Sequence, residues 1–268
     1  MDLDLAGRRA LVTGSSSGIG AGVARILAQE GASVVVHGRN AERAEAVARE
    51  LAEQGAQTAV AIGDLATDEG ADAVTKAALE AFGGIDILVN NAGGSAKGET
   101  SWFKVPANNW VDVYQSNTLA AVRLIHALVP GMRERAWGRI INIGSAAAVT
   151  PTSGQPEYGP AKAALINLSL GLSKNLRNSG VTSNVISPGM IRTEGLEKGM
   201  ALLAEKRGLG LDAEKGIDIM LKGIGQTVNR IGEVEDVGYA VAMLASPRSG
   251  FINGTNVHVD GGISPAIN

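Results

Sequence analysis

The sequence predicts an α/β fold, a single domain of 268 residues built on a seven-stranded parallel sheet with helices on both faces. Three observations carry this expectation. Short apolar runs alternate with longer amphipathic patterns along the chain, the order that generates strand–helix–strand crossovers. A glycine-rich turn joins the first strand to the first helix. No linker, repeat or low-complexity tract divides the chain into two units. Crossovers of this kind are right-handed and cover both faces of the sheet they build.

Residues 9–12 form the first apolar run, and after the turn a helical pattern occupies residues 19–30. The β-branched run at 33–36 is the second strand. Asn40 then offers an N-cap to a helix through residue 54, with Ala44, Val47, Ala48 and Leu51 on one face. Residues 58–62 give the third strand, and Thr67 caps a helix reaching about Phe82. Residues 85–89 are the fourth strand, followed by a long helical pattern from about 108 to 135 that Pro130 should kink late. The fifth strand spans 139–143, and a second long helix spans 157–178, ended by Gly180. After the sixth strand, 183–186, the stretch 194–229 is amphipathic and interrupted by glycine. It is too long for an ordinary connection and is expected to be a substrate lid. A helix at 235–245 and a strand at 256–259 close the fold.

Composition excludes several classes. With 45% hydrophobic and 19% charged residues the chain is neither disordered nor fibrous, and its 36 glycines follow no triplet period. The absence of cysteine removes disulfides, thiolate metal sites and cysteine nucleophiles, and the three histidines lie far apart, so no metal is expected. A net charge of -3 without a basic block argues against nucleic acid and anionic membrane surfaces as partners. The acidic N-terminus is no secretory signal, and no apolar run approaches the roughly 18 residues that span a bilayer, so a cytoplasmic protein is expected.

The turn reads Thr13-Gly14-Ser15-Ser16-Ser17-Gly18-Ile19-Gly20. Gly14 permits a sharp turn, Gly18 lets a pyrophosphate approach amides at a helix N-terminus, and Gly20 allows close helix-to-sheet packing. A tight turn without a ligand is the alternative. Further along come Asp64-Leu65, Asn90-Asn91-Ala92-Gly93, Asn117, Ser145, Tyr158-x-x-x-Lys162, Pro188-Gly189 and Val259-Asp260-Gly261-Gly262. In this order, these motifs make the chain resemble the short-chain dehydrogenase/reductase family over nearly its whole length. The resemblance implies a Rossmann fold with strand order 3-2-1-4-5-6-7.

Tyr158 and Lys162 are four residues apart on an expected helix and share a face. An ammonium about 4 to 5 Å from a phenol, at an effective dielectric of about 20, favours the phenolate by roughly 3 to 4 kcal/mol. The phenol is then expected to titrate closer to neutrality. Alone, such a pair is usually a surface contact. The resemblance implies that Tyr158 exchanges a proton with a substrate hydroxyl or carbonyl, Lys162 also bonds the nicotinamide ribose, and Ser145 holds the reacting oxygen. It implies as well that Asn117 distorts its helix and holds a water that relays protons.

By the same resemblance, Gly14, Ser16, Ser17, Gly18, Ile19 and Gly20 cradle a dinucleotide, and Asn91, Ala92 and Gly93 form a cofactor wall. Asp64 and Leu65 face the adenine, and Pro188, Gly189, Ile191 and Thr193 contact the nicotinamide amide. The second strand ends in His37-Gly38-Arg39-Asn40, with no carboxylate to accept from a ribose 2′-hydroxyl. Arg39 offers charge-assisted bonds to a 2′-phosphate, which favours NADP(H) over NAD(H), although stacking on adenine or facing solvent are alternatives for it.

The expected activity is NAD(P)-dependent hydride transfer to or from a carbonyl or secondary alcohol on a small molecule. A non-catalytic dinucleotide sensor on the same fold is the alternative. Expected pocket residues include Gly94, Ser95, Ala146, Ala147, Gln155 and Met190, with Trp102 and Phe103 as contributors. A 3-oxoacyl thioester is one candidate substrate, supported by Arg133 and Arg135 as a docking point for an acidic carrier and opposed by Ser179, where such reductases often carry arginine. The two long helices resemble those that form dimer interfaces in the family, and a homotetramer is expected.

Overall fold

The computed structural model describes residues 2–95, 101–151 and 154–264. Seven strands form one sheet: β1 (Arg9–Val12), β2 (Ser33–Gly38), β3 (Thr58–Ile62), β4 (Ile87–Asn90), β5 (Gly138–Ile143), β6 (Val181–Pro188) and β7 (Asn256–Val259). They run parallel in the order β3-β2-β1-β4-β5-β6-β7. The helices are α1 (Gly18–Gln29), α2 (Ala41–Glu53), α3 (Asp68–Phe82), α4 (Ala107–Tyr114), α5 (Ala120–Glu134), α6 (Tyr158–Asn175), α7 (Glu194–Lys206), α8 (Ala213–Gly223) and α9 (Val234–Ala245).

The central strands are continuous apolar runs because both of their faces are covered. Val12, Val34, Val36, Ile87, Val89 and Ile141 enter one core with Val23 and Leu27 of α1, Leu51 of α2 and Val241 of α9. Their chain neighbours Leu11, Val35, Leu88 and Ile140 enter the other with Val74 of α3, Leu124 of α5 and Leu165 of α6. The period of two along a strand therefore sorts one unbroken hydrophobic run into two cores.

The expected caps form: Asn40 accepts the Arg43 amide at 2.9 Å, and Thr67 accepts the Gly70 amide at 3.1 Å. Three local expectations change. The long helical pattern before β5 is divided by a π-helical segment, Gln115–Leu119, between α4 and α5, and α5 continues to Glu134 past the internal Pro130. Helix α6 stops at Asn175, and Gly180 instead turns the chain into β6 with φ +75, where a side chain would collide with the Ala136 carbonyl. The 194–229 stretch is more regular than its glycines suggest. Helices α7 and α8 pack on each other around Met200, Ile217 and Ile231. Among the described residues no helix is long and apolar enough to cross a membrane.

Candidate active site

The carboxyl ends of the strands open into a cavity of about 520 Å³ lined by residues from the first turn, the end of β5, α6, the segment after β6 and α7. Parallel strands deliver their following loops to this one edge, so residues far apart in sequence converge there. Ser145 follows β5, Tyr158 and Lys162 stand on the first turns of α6, and all three line the cavity.

Lys162 is 3% exposed, and its Nζ donates to the Ile143 carbonyl at 2.8 Å while lying 5.7 Å from the centre of the Tyr158 ring. Burial lowers its pKa to about 8. The Ser145 hydroxyl accepts the Ala147 amide at 3.1 Å, so its own hydrogen is turned away from that backbone; it lies against the Tyr158 phenol. The phenol itself is pushed up by burial, with Ser145 pulling in the opposite direction. The expectation of a phenol lowered by its lysine therefore does not hold in this state. Enclosure dominates, and the Lys162 ammonium donates to a backbone carbonyl rather than to the phenol oxygen.

Asn117 sits within the π segment, 2% exposed. Its Nδ2 donates to the Gly94 and Val113 carbonyls, both at 2.8 Å, and its Oδ1 accepts the Gly94 amide at 3.0 Å. Any side chain on Gly93 would place its Cβ 2.3 Å from that Oδ1. The distortion expected around Asn117 is present, and its side chain clamps the loop after β4. The neighbouring Thr118 donates to the Ala161 carbonyl at 3.0 Å, which fastens the same segment to α6 beside Lys162.

The first turn is shaped for an anion. Ser17 is the N-cap of α1 but makes no side-chain capping bond, leaving the first-turn amides without a side-chain acceptor. A Cβ on Gly20 would fall 2.4 Å from the Gly14 carbonyl, so only glycine lets α1 leave the turn this closely. Asn91 and Ala92 donate their amides to Thr13 Oγ1 at 2.8 Å, and Asn91 Nδ2 donates to the Thr13 carbonyl at 2.8 Å. The wall after β4 is thereby bonded to the turn. The first-turn amides of α1, left open by Ser17, suit a dinucleotide pyrophosphate.

Ser16, Ser17, Arg39, Asp64, Leu65, Ala92 and Gly93 line an adjoining cleft of about 900 Å³. Arg39 is largely exposed, its Nη1 3.8 Å from Asp64 Oδ2, and Asp64 Oδ1 already accepts the Ala66 amide at 3.1 Å. Leu65 packs its side chain into the core. Pro188, Gly189 and Thr193 line the first cavity, whereas Ile191 is buried in the core beside a bridge to Gly232. Ser95 lines the second cleft and its Oγ accepts Gln155 Nε2 at 3.0 Å, and Trp102 meets Trp110 edge-on at 5.6 Å.

Sequence reasoning missed Arg43 and His37 here, and placed Glu194 and Lys198 only within the expected 194–229 lid. Arg43, Glu194 and Lys198 line the first cavity as an ionic chain, with contacts of 3.3 Å and 2.5 Å to the central carboxylate. His37 lines the second cleft and accepts the Gly14 amide. A 151-residue separation hides the pairing of Arg43 with Glu194 from any local pattern, whereas Glu194 and Lys198 stand at ordinary i,i+4 helical spacing. A histidine at a strand end has no spacing signature, although a polar residue closing an apolar run was a visible signal.

A cleft that receives a dinucleotide at one side and presents a tyrosine, lysine and serine at the other belongs to an NAD(P)-dependent oxidoreductase. The model of the short chain dehydrogenase family matches residues 8–201, and the chain belongs to that family. It is 34% identical over 261 residues to a 3-oxoacyl-[acyl-carrier-protein] reductase of Vibrio cholerae, covering 97% of this chain and 99% of that protein. The L-sorbose reductase of Gluconobacter frateurii, solved with NADPH and L-sorbose, superimposes with a TM-score of 0.94 at 34% identity and full coverage of both chains. A gluconate 5-dehydrogenase from Burkholderia cenocepacia, solved with NADP and tartrate, gives 0.86 at 30% identity, covering 99% of this chain and 98% of its own.

Proposed function

We propose that this protein interconverts a ketone and its secondary alcohol on a small polyhydroxylated molecule, with NADP(H) as the favoured cofactor and Tyr158 as general acid and base. The observation that carries the chemistry is the buried Lys162 ammonium fixed behind Tyr158, with Ser145 against the phenol. The bound dinucleotide supplies or accepts the hydride. Ser145 orients the reacting oxygen, Tyr158 gives it a proton or takes one from it, and Lys162 holds the ribose and steadies the phenolate that results. Asn117 holds the loop after β4 and its neighbour Thr118 fastens the same segment to α6; a water that relays protons there would be held by backbone carbonyls, since both Nδ2 hydrogens of Asn117 are already committed. A dinucleotide sensor without catalysis is the less favoured reading, because the whole acid–base set is retained.

NADP(H) is favoured over NAD(H) by Arg39 above a cleft whose β2 end carries no carboxylate. The cofactors bound to the two solved relatives agree with that choice. The Ser95–Gln155 pair at the second cleft offers hydroxyl and amide groups to a hydroxylated substrate. A 3-oxoacyl thioester is the second reading, from the Vibrio relative. Carrier docking at Arg135 is disfavoured, since that guanidinium donates to the Ile85 carbonyl at 2.6 Å and lies 3.5 Å from Asp86.

The stretch 194–229 acts as the substrate lid within the single domain. An apolar groove between α5 and α6, lined by Ile125, Val129, Leu168 and Leu172, supports assembly through these helices into a homotetramer. A cytoplasmic location fits the reading from composition. The test is NADPH oxidation against a panel of ketoses, sugar acids and 3-oxoacyl thioesters, with NADH as comparator and Tyr158→Phe as control. Turnover of ketoses alone supports the proposal, and thioester turnover alone replaces it with the second reading.

A further inference from the structure

His37, the penultimate residue of β2, lies directly behind the glycine-rich turn and is 3% exposed. Its Nδ1 accepts the Gly14 amide at 2.8 Å, and its Nε2 lies 3.1 Å from the Gly63 carbonyl. An amide can only donate and a carbonyl can only accept. Both contacts are therefore met by one species alone, the neutral ring with its proton on Nε2. The backbone completes the junction: the Ser15 amide donates to the His37 carbonyl and the His37 amide donates to Ser15 Oγ, both at 2.9 Å. One side chain thus joins the first turn to the turn after β3, the two segments that face each other across the cleft where an adenosine would lie.

We propose that His37 is a positioning residue of the cofactor site: its unprotonated Nδ1 holds the Gly14 amide and keeps the turn in binding shape, so that protonating His37 weakens NADP(H) binding. A proton on Nδ1 would set donor against donor and leave the Gly14 amide without its acceptor. Charged groups around the ring are few. Asp64, from the turn after β3, favours the cation, and Arg39, on its own strand's exit, opposes it. The first turn contributes Gly14 and Ser15, and neither is ionisable. Burial is the larger influence and holds the imidazole below its ordinary range, so the ring is neutral at pH 7 and the linkage appears only on acidification.

This inference rests on the NADP(H) assignment above. The test is the NADPH dissociation constant from nucleotide fluorescence between about pH 8 and about pH 5.5. Wild type is compared with His37→Asn, whose Oδ1 can accept without titrating, and with His37→Leu, which offers no acceptor. The cofactor's own 2′-phosphate titrates near about pH 6, so the difference between wild type and His37→Asn is the quantity read. The expected result is a wild-type affinity that falls by roughly tenfold more on acidification than that of His37→Asn, with His37→Leu weak throughout. Nitrogen-15 shifts of the His37 ring in the full-length protein should show the Nε2–H tautomer, a readout available even if His37→Leu fails to fold. Parallel pH profiles for wild type and His37→Asn would overturn the proposal. So would tighter wild-type binding in acid, which would mean that imidazolium attracts the phosphate instead. Failure of wild type to bind NADPH at pH 8 would refute the cofactor assignment itself, and this proposal with it.

Discussion

Arg43 and Glu194, 151 positions apart, meet at 3.3 Å across the mouth of the dinucleotide cavity, joining the first turn of α2 to the first residue of α7. Lys198 shares the same carboxylate at 2.5 Å. Both contacts are exposed, so they are weak and screened by salt. Glu194→Gln should therefore speed NADPH release by less than about fivefold, with the difference from wild type vanishing at high ionic strength. Stopped-flow displacement at two salt concentrations measures this, and an equal effect at both would exclude an electrostatic clasp.

Removing one oxygen from Tyr158 tests the proton step. Tyr158→Phe should lower kcat by about 100- to 10,000-fold while leaving the NADPH dissociation constant within about twofold. Titration calorimetry beside steady-state turnover separates the two. Substantial residual turnover would point to another proton donor.

Lys162 links stability to alkaline pH. Its folded-state pKa of about 8 lies below the ordinary value of 10.5. Between those values the unfolded chain holds the extra proton, so folding gains stability as pH rises through that window. Below it the buried ammonium costs about 3 kcal/mol. Lys162→Met should abolish that gain, and urea midpoints of the cofactor-free protein from about pH 7.5 to about pH 10.5 would show it as a flattened profile relative to wild type.

Asn117→Ala removes the side-chain partner of the Gly94 amide and the Gly94 carbonyl, and one of the side-chain donors to the Val113 carbonyl, which the Ser116 hydroxyl still reaches. A loss of about 2 to 4 kcal/mol is expected, together with much reduced turnover because the loop after β4 loses its clamp. Thermal unfolding and kinetics at a permissive temperature check both effects. Asn117→Asp should recover only the bond from the Gly94 amide.

Arg192 holds three carboxylates, Glu197 of α7 at 3.1 Å, Glu214 of α8 at 2.7 Å and Glu233 before α9 at 3.2 Å. Without it these acids repel one another. Arg192→Met should raise hydrogen exchange across α7 and α8 and increase KM for substrate more than it lowers kcat. Unchanged exchange would separate these ion pairs from the order of the proposed lid.

The strands and their number were legible because doubly buried strands leave continuous apolar runs between turn residues, as at 9–12, but their ends were less so: the fourth runs 87–90 rather than 85–89 and the sixth 181–188 rather than 183–186. Asn40 and Thr67 were legible as caps because the bond they make is local. A distortion around Asn117 was implied by the resemblance, but the division into α4, a π segment and α5 was not legible in the residues themselves, since Asn117 bonds a loop more than twenty positions away. The Tyr158 phenol was misjudged for a related reason. Spacing along a helix reports which side chains are neighbours, whereas the balance of burial against charge depends on everything else that encloses them. Arg43, His37 and Arg192 act through partners supplied by the fold, and no periodicity encodes such pairs.

The π segment also marks where this molecule tolerates a change of length. Helix α4 carries Trp110, in contact with Trp102, whereas α5 beyond the segment is anchored in the core through Leu124 and Leu128. Loss of a single residue from 115–119 would heal the segment into an ordinary α-helix, and because the wider π turn already absorbs one residue, the faces of α4 and α5 would stay close to their present orientation. The change would fall on the local widening that carries Asn117, so a one-codon deletion there is a route to a loop after β4 released from its clamp while the helices on either side keep their places.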